Sequence, residues 1–418
     1  MRGRPNLYVS YQSESSMLPT WTQRTAVFVL LAVAVLIPFR NLPVVGDLPL
    51  VGFLGSASWM RLVTNAVIFA IAALGLNLLS GVAGQVSLGH AFFMGVGAYA
   101  AVFLGGQGSD NLWGHSLPMW IWLPGAGITA ALVGIIVSPA AVKVRGLYLG
   151  IVTVGLVFIG VHLSRVMPEM SGGAEVGRQF PALEFRWWKE ATAFIDFDSD
   201  GHWLWFDIGK GAKTYLFCLA VLVVAAVVSK NIVRSRTGRA FQSIRDRDVA
   251  AEVMGVPERK YKMIAFAASG FYAGIAGALF ACFVGKLPPE TWDLILSVEF
   301  IAIILIGGAG TTAGALLGAF FVVLMPKFVE EIVHWMGDQA AGDGVTSGLW
   351  DFLIQRDAAD NGLIALQQPA PGFALPVTAV DEVIYGVLIV VFLLFEPLGL
   401  FGIWVKIRNY WKRWPFSY

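Results

Sequence analysis

Four polar side chains inside apolar stretches are the groups of this 418-residue chain best suited to act on a ligand or an ion. Residues 80–99, SGVAGQVSLGHAFFMGVGAY, carry Gln85, Ser87 and His90 among several glycines. All three side chains form hydrogen bonds, and His90 can also titrate near neutral pH. Glu299 lies in the stretch SVEFIAIILIGG, where an ionisable group is a functional candidate because burying its charge is costly.

Each of these groups also has a structural alternative. Glycines in residues 80–99 permit close helix packing without any ligand, and an isolated histidine within an apolar region often bridges two helices. Glu299 is only about 9 Å from the nearer end of its apolar segment at 1.5 Å per residue, so its carboxylate can instead reach water. Both the functional and the structural interpretations stay open on sequence alone.

A second glycine-rich interruption, GGAGTTAGALLG, covers residues 307–318 and contains Gly307, Gly308, Thr311 and Thr312. Backbone that leaves the helix at membrane depth must be buried in protein or line a cavity, because lipid cannot satisfy its polar groups. Broken helices of this kind commonly form substrate sites. Two such breaks therefore favour a pathway through the chain.

Other chemistry is disfavoured by the sequence. Cys218 and Cys282 both fall in apolar stretches, which favours buried thiols over a disulfide or a metal site. The five histidines are scattered singly with no HExxH pairing, so an intramembrane enzyme is disfavoured and no metal site is expected. Residues 209–214, GKGAKT, resemble a phosphate loop, but Asp207 and Ala212 stand where such a loop needs glycine, so we expect this chain to bind no ATP and no other cofactor.

The elements that position these groups are membrane helices. Hydrophobic residues make up 57% of the chain, charged residues 14%, and the mean hydropathy is +0.69, values far from those of soluble proteins. We predict an all-α, polytopic membrane protein with about ten transmembrane or re-entrant helices. The predicted spans are Arg24–Phe39, Trp59–Leu79, Gln85–Leu104, Met119–Val142, Gly146–Val166, Lys213–Ser229, Met263–Gly285, Asp293–Gly307, Thr312–Val333 and Val383–Val405.

Charge orients these spans. Basic residues concentrate in alternate connections and acidic residues in the others, although the net charge is only +1. Because Lys and Arg accumulate on the cytoplasmic side, both termini are predicted to be cytoplasmic. We expect residues 1–57 to be an N-terminal tail with the first span, and residues 58–418 to form the main transmembrane domain.

The longest inner connection, residues 230–262, is a candidate docking segment. It is strongly basic, and its centre, DVAAEVMG, predicts a short helix that ends at Gly255. A membrane chain that keeps so large a polar segment is expected to offer it to a soluble partner. The alternative is an ordinary positive-inside loop that binds nothing.

Several blocks of sequence together resemble one known family. GLNLLSGVAGQVSLGHAFFMGVGAYAA, RGLYLGIVTVG, SRTGRAFQSIRDRDVAAEVMGVPERKYKMIAF and SVEFIAIILIGGAGTTAGALLGA are similar to the branched-chain amino acid permeases of ABC importers, the longer of the two permease subunits in particular. With YGVLIVVFLLFEPLGLFG and the final WPFSY, the blocks extend from Gly75 to the C-terminus in the order found in that family. The resemblance implies a bacterial inner-membrane, multi-pass transporter subunit that is not itself an enzyme.

The resemblance also implies partners and residue roles. It implies a second permease subunit, two ABC ATPase subunits that hold ATP and Mg, a periplasmic or lipid-anchored substrate-binding protein and membrane lipid, but no nucleic acid. In the family, a loop with an EAA sequence and a glycine three residues later docks on the ATPase; here it is VAAEVMG, with valine at the acidic position. The implied coupling residues are Arg245, Asp248, Ala250, Ala251, Gly255, Arg259 and Lys260. Our own hypothesis, from the broken helices and the intramembrane carboxylate, is that the pathway residues are Gln85, Ser87, His90, Glu299, Gly307, Gly308, Thr311 and Thr312.

Departures from the family pattern leave the substrate open. Where the family has a TGG segment after the fifth span, this chain has SGGAEVG at residues 171–177. Urea permeases of the same superfamily carry glutamine where Val154 stands, so branched-chain amino acids are favoured over urea or short amides. A proton-coupled secondary amino acid transporter that uses Glu299 and His90 is the further alternative.

Overall fold

The computed structural model describes residues 21–39, 55–108, 112–144, 146–173, 177–188, 195–197, 199, 201–203, 206–341, 354–355, 363–365, 375–396 and 398–413. Most of these residues are helical. The helices are α1 (Trp21–Leu36), α2 (Ala57–Leu76), α3 (His90–Gly105), α4 (Met119–Lys143), α5 (Leu147–Val166), α6 (Pro168–Ser171), α7 (Lys210–Arg234), α8 (Arg236–Val253), α9 (Glu258–Val284), α10 (Leu294–Gly307), α11 (Thr312–Ala341), α12 (Val377–Phe395) and α13 (Gly399–Arg413).

The described helices fit a membrane protein. Six of them are long and apolar enough to cross a bilayer: 57–82, 119–143, 148–166, 210–234, 258–284 and 312–332. Three shorter apolar helices occupy residues 23–39, 90–105 and 294–307. The predicted helical membrane class is therefore supported, whereas the total of about ten spans stays a prediction.

Helix α9 lies at the centre of the bundle and packs against α2, α3 and α4. Small residues make this possible, because a Cβ added at Gly270 would lie 2.6 Å from the carbonyl oxygen of Ala130, and one at Gly277 would collide with the backbone of Met94. The backbones of α9, α4 and α3 are thus in direct contact. Such contact between small residues is how helices associate where lipid removes the hydrophobic driving force.

Two predicted spans have different boundaries in the structure. The span predicted from Gln85 begins as a helix only at His90, because residues 83–89 form an irregular segment. The span predicted as Val383–Val405 is not one helix: α12 ends at Phe395 and α13 begins at Gly399, whose φ of +64° cannot continue a helix. The prediction of one continuous helix was wrong because the amide of Gly399 donates to the carbonyl oxygen of Glu396 at 2.8 Å, a turn that separates the two helices.

The chain is also not strictly all-α. Short strands occur in the connections: β1 (Arg178–Gln179), β2 (Glu184–Phe185), β3 (Ile195–Asp196), β4 (Gly201–Trp203), β5 (Phe206–Ile208), β6 (Lys286–Leu287), β7 (Ile354–Gln355), β8 (Ile364–Ala365) and β9 (Leu375–Pro376). β1 pairs antiparallel with β6, with Arg178 opposite Leu287, so the connection after α6 is fastened to the end of α9. Burial lowers the pKa of the Arg178 guanidinium, which donates to the carbonyl oxygens of Gln107 and Trp113.

Candidate functional site

The break after α2 is a defined structure rather than a frayed helix end. Residues Asn77–Val82 widen into a π-helical turn, and the chain then leaves the helix at Gly84, whose φ is +67°. The amide of Gln85 donates to the carbonyl oxygen of Leu79 at 3.0 Å, and the Ser80 hydroxyl donates to the carbonyl oxygen of Gln85 at 2.9 Å. Part of the polar backbone that the break exposes is therefore satisfied within the segment itself, and Thr153 of α5 accepts a hydrogen bond from the Leu88 amide.

The second break meets the first. Gly308 and Gly310 adopt φ values of +117° and +84°, which other residues reach only with strain. The amide of Gly310 donates to Asn77 Oδ1 at 2.7 Å, and a Cβ at Gly81 would collide with both of these groups. The turn between α12 and α13 packs on the same place, since a Cβ at Gly308 would lie 2.5 Å from the carbonyl oxygen of Leu398. We call this meeting point, residues 77–84 with 307–311, the glycine junction.

Arg245 of α8 reaches into the glycine junction. Its Nη1 donates to the carbonyl oxygen of Gly81 at 3.0 Å, and its Cγ lies so close to Gly84 that a Cβ there would be only 2.5 Å away. A Cβ at Gly310 would be 3.4 Å from the same guanidinium nitrogen. The polar inner segment therefore makes direct contact with both glycine-rich breaks.

Three of the predicted pathway side chains form internal hydrogen bonds. Gln85 Nε2 donates to the carbonyl oxygen of Ala83, and the Ser87 hydroxyl accepts from the amide of Gly89. His90 is buried at the start of α3, where Nε2 lies 2.9 Å from the carbonyl oxygen of Ala72 and the ring packs edge-on against Phe300. His90 thus bridges α3 to α2, the structural alternative that the sequence left open.

Glu299 lies apart from these groups. It is half-buried on the side of α10 that exposes Ile295 and Val298, whereas Ser297 and Phe300 of the same helix face α3. Its carboxylate has no hydrogen bond or ion pair with the residues that the structure describes. The structure therefore does not bring Glu299 to His90, as a direct proton relay between the two would need.

The threonines of the second break stabilise the start of α11. The Thr311 hydroxyl donates to the carbonyl oxygen of Gly308 at 3.1 Å and accepts from the amide of Gly314 at 3.0 Å. This arrangement satisfies orphan donors at a helix N-terminus. Thr312 is the first residue of α11 and is half-buried.

Residues 230–262 are more helical than predicted. They include the end of α7, the whole of α8 and the start of α9 rather than a loop with one short helix. Ser235 caps α8 by accepting from the amides of Thr237 and Gly238, and Arg247 interrupts the helix with φ −157° and ψ 100°. The stretch after Arg247 corresponds to the predicted short helix, and the φ of +82° at Gly255 ends it there as expected.

The end of α8 has an exposed apolar surface. Val249, Val253 and Met254 are 61%, 82% and 84% exposed, whereas Ala251 is buried against the rest of the chain. Ala250, Arg259 and Lys260 are also exposed, and Asp248 accepts a hydrogen bond from the amide of Val249 at 2.8 Å. We call Val249, Val253 and Met254 the docking surface.

A buried ion pair anchors the start of α9 beside this surface. Lys262 Nζ lies 2.5 Å from the Glu258 carboxylate and donates to the carbonyl oxygen of Ala141 at 2.8 Å, near the last turn of α4. Both side chains are less than 10% exposed. The start of α9 is therefore held against the last turn of α4.

Asn77, Leu398 and Gly399 were missed by the sequence reasoning. Asn77 is a lone amide in the apolar sequence GLNLLSG, which is a signal that sequence reasoning can use. The turn at Leu398 and Gly399 carries no comparable signal for contact with Gly308. Among the described residues, no group of three or more His, Cys, Asp or Glu side chains is placed to hold a metal ion.

The helices and the two buried breaks define a polytopic membrane protein of the permease kind. A family model described as "Branched-chain amino acid transport system / permease component" matches residues 58–393, and the chain belongs to this family. The resemblance found in the sequence is thereby confirmed. Members of the family are transporter subunits rather than enzymes.

Individual relatives agree with this assignment. The chain is 29% identical over 312 residues to the high-affinity branched-chain amino acid transport system permease protein LivM of Escherichia coli (strain K12). The matched region covers 71% of this chain and 70% of that protein. LivM of Salmonella typhimurium is 28% identical over 310 residues, with 71% and 70% covered. A shorter match, 32% over 131 residues, is to the autoinducer 2 import system permease protein LsrC of Enterobacter sp. (strain 638), with 30% and 38% covered. No solved structure matches the chain.

Proposed function

We propose that this chain is a transmembrane permease subunit of an ABC importer that carries branched-chain, aliphatic amino acids. The observation that supports this most directly is the family match over residues 58–393. The similarity to LivM over about 70% of both chains favours branched-chain amino acids among the possible cargoes. The shorter similarity to LsrC indicates that related permeases serve chemically different cargoes.

In this proposal, ATP hydrolysis on two partner subunits supplies the work. The docking surface, Val249, Val253 and Met254, sits on a polar inner segment and has the exposed apolar side chains that a soluble partner would cover. Residues Arg245, Asp248, Ala250, Ala251, Gly255, Arg259 and Lys260 form and flank this coupling segment. ATP and Mg belong to the partner subunits, and this chain binds neither.

The glycine junction is the contact through which movement of α8 is transmitted to the membrane helices. Movement of α8 acts through Arg245 on Gly81, and through Asn77 on Gly310. Gly307, Gly308, Thr311 and Thr312 then change the position of α10 relative to α11. Gln85, Ser87 and His90 form the wall of the pathway within this chain, while Glu299 lines the part of the pathway that α10 shares with a second permease subunit.

The remaining features of the proposal concern assembly. The chain spans the bacterial inner membrane about ten times with both termini in the cytoplasm, residues 1–57 forming the tail and first span and residues 58–418 the permease domain. A second permease subunit completes the pathway. A periplasmic or lipid-anchored binding protein delivers the amino acid to the outer connections.

The test combines purification with transport. The chain is tagged, expressed with its neighbouring transporter subunits and purified from membranes, and the complex is assayed for ATP hydrolysis and for leucine uptake in proteoliposomes. We expect an ATP-hydrolysing protein to co-purify, and uptake to require ATP and to resist an uncoupler. Uptake that proceeds without any ATPase and collapses with an uncoupler would instead establish a secondary transporter.

The cargo is tested with the same preparation. Leucine, isoleucine and valine should compete with one another for uptake, whereas urea and short amides should not. Competition by urea at concentrations comparable with leucine would move the assignment to the urea permeases.

A further inference from the structure

A cavity of about 410 Å³ lies in the half of the bundle away from the glycine junction. It is enclosed mainly by α3, α4 and α5, and by Trp292 at the end of the 3₁₀ helix Pro289–Trp292. Tyr99, which lines it, is nine residues along α3 from His90, or about 13 Å at 1.5 Å per residue. None of the pathway residues predicted from the sequence lines the cavity.

The lining is apolar with a few convergent polar groups. Phe92, Val96, Phe103 and Leu163 supply most of the wall. This composition and volume are those of a site for a small ligand with an apolar body.

Two buried polar groups in the wall lack a hydrogen bond of standard geometry. Tyr99 is 6% and Trp292 is 3% exposed, and the Tyr99 hydroxyl lies close to the Trp292 indole N–H and to the Ser164 hydroxyl without forming a well-aligned hydrogen bond to a described residue. Buried donors are nearly always paired, since an unpaired one costs about as much as a lost hydrogen bond. Both groups are hydrogen-bond donors, so together they suit an acceptor such as a carboxylate.

An ion pair stands beside the cavity. Arg165 Nε donates to Glu290 Oε1 at 2.9 Å, with both side chains about half exposed. Arg165 follows Ser164, which lines the cavity, and Glu290 lies in the same 3₁₀ helix as Trp292. The two charges are of opposite sign and accessible, as recognition of a zwitterion requires.

We propose that this cavity is an outer binding site for one aliphatic amino acid. Its carboxylate accepts hydrogen bonds from Tyr99 and Trp292 near the Arg165 guanidinium, its ammonium group faces Glu290, and its side chain packs against Phe92 and Phe103. The inference rests on the proposed function for its ligand class and adds a place and named residues. A lipid acyl chain would fill the same apolar walls but would leave both donors unpaired, so the observations favour the amino acid.

The test is protection of a single cysteine in the assembled importer. Ala100→Cys places a thiol in the cavity wall, in a chain that also carries Cys218→Ala and Cys282→Ala. We expect leucine to slow its modification by a small thiol reagent, and urea to have no effect. Tyr99→Phe and Trp292→Phe should each raise the leucine concentration for half protection about 5- to 10-fold, the effect of one lost hydrogen bond.

Matched controls make the same chemical changes elsewhere. Tyr148→Phe on α5 and Trp120→Phe on α4 remove a hydroxyl and an indole from exposed positions outside the cavity, and should leave protection unchanged. Labelling that is indifferent to leucine in an importer that does transport leucine would overturn the cavity proposal alone. Failure of the unmodified importer to take up leucine would overturn the proposed function, and leucine protection would still support the site.

A lipid occupant has its own signature. Native mass spectrometry of the complex would show a retained lipid that Val96→Phe, which fills the cavity, displaces. If leucine gives no protection in that case, the cavity is a lipid site and the proposal is wrong.

Discussion

The guanidinium of Arg245 and the carbonyl oxygen of Gly81 are joined by a 3.0 Å hydrogen bond across 164 residues of sequence. Arg245 belongs to the polar helix α8, and Gly81 belongs to the π-helical break after α2. Because a Cβ at Gly310 would also lie 3.4 Å from the same guanidinium, one side chain contacts both halves of the glycine junction. Displacement of α8 therefore has a direct route to the membrane helices.

Removing this route should uncouple transport from ATP hydrolysis. We expect Arg245→Ala to lower leucine uptake about tenfold, equivalent to about 1.4 kcal/mol, while the ATPase subunits still bind. Uptake and ATP hydrolysis measured on the same proteoliposomes check this. Arg236→Ala removes the same charge from an exposed position at the start of α8 and is the control. Equal uptake by both variants would exclude a role for the Arg245 contact.

Close backbone packing at the glycine junction should matter for transport as much as the charge of Arg245 does. Gly81→Ala places a methyl group against Asn77 Oδ1 and the Gly310 amide, which must separate and lose their hydrogen bond. We expect a loss of about 1–3 kcal/mol in stability and a matching loss of uptake, measured by thermal unfolding in detergent and by transport. Gly155→Ala on α5 meets nothing within 4 Å and should behave as the unmodified protein does.

The docking surface should be sensitive to charge. Val253→Asp puts a carboxylate at a position that is 82% exposed in the isolated chain and, by our proposal, buried against the ATPase. We expect co-purification of the ATPase to fall at least about tenfold while the permease itself remains folded. Gln242→Asp adds the same charge to an exposed position earlier in α8 and should have little effect. Undiminished recovery of the ATPase with Val253→Asp would place the contact elsewhere.

The buried ion pair at the start of α9 should depend on both partners. Lys262→Met leaves the Glu258 carboxylate buried without its counter-charge, and we expect a loss of about 3–5 kcal/mol in unfolding free energy. Adding Glu258→Gln removes the uncompensated charge and should restore part of that loss. Thermal unfolding of the two variants in the same detergent makes the comparison. A double variant no more stable than Lys262→Met would show that packing around Lys262, rather than charge, dominates.

Patterns among residues close together in the sequence predicted many of the helices and one helix end. The apolar segments, the glycine stripe of α9 and the end of α8 at Gly255 each depend on residues within one or two helical turns, so spacing alone identifies them. The apolar sequence around His90 likewise predicted a group that bridges helices as one of two alternatives. In the structure Nε2 of His90 lies 2.9 Å from the carbonyl oxygen of Ala72, a contact between α3 and α2, and the pathway role of His90 stays a prediction.

Contacts between distant segments were not predictable in the same way. Asn77 and Gly310 are 233 residues apart, and nothing in either sequence identifies the other as its partner. The cavity at Tyr99 and Trp292 is lined by residues of four helices, α3 to α6, and of a 3₁₀ turn, so no single motif represents it. The break between α12 and α13 was missed because the region is apolar on both sides of Gly399.

Helix α9 connects the two faces of the molecule without an interruption. Its 27 residues make a rod about 40 Å long, with the Glu258–Lys262 ion pair at one tip and the β6 pairing with β1 just beyond the other. Because Lys262, Gly270 and Gly274 all contact α4, helices α9 and α4 would move together as one rigid unit. A push on the Glu258 end of α9 would therefore be transmitted to the β6–β1 pairing beyond its opposite end.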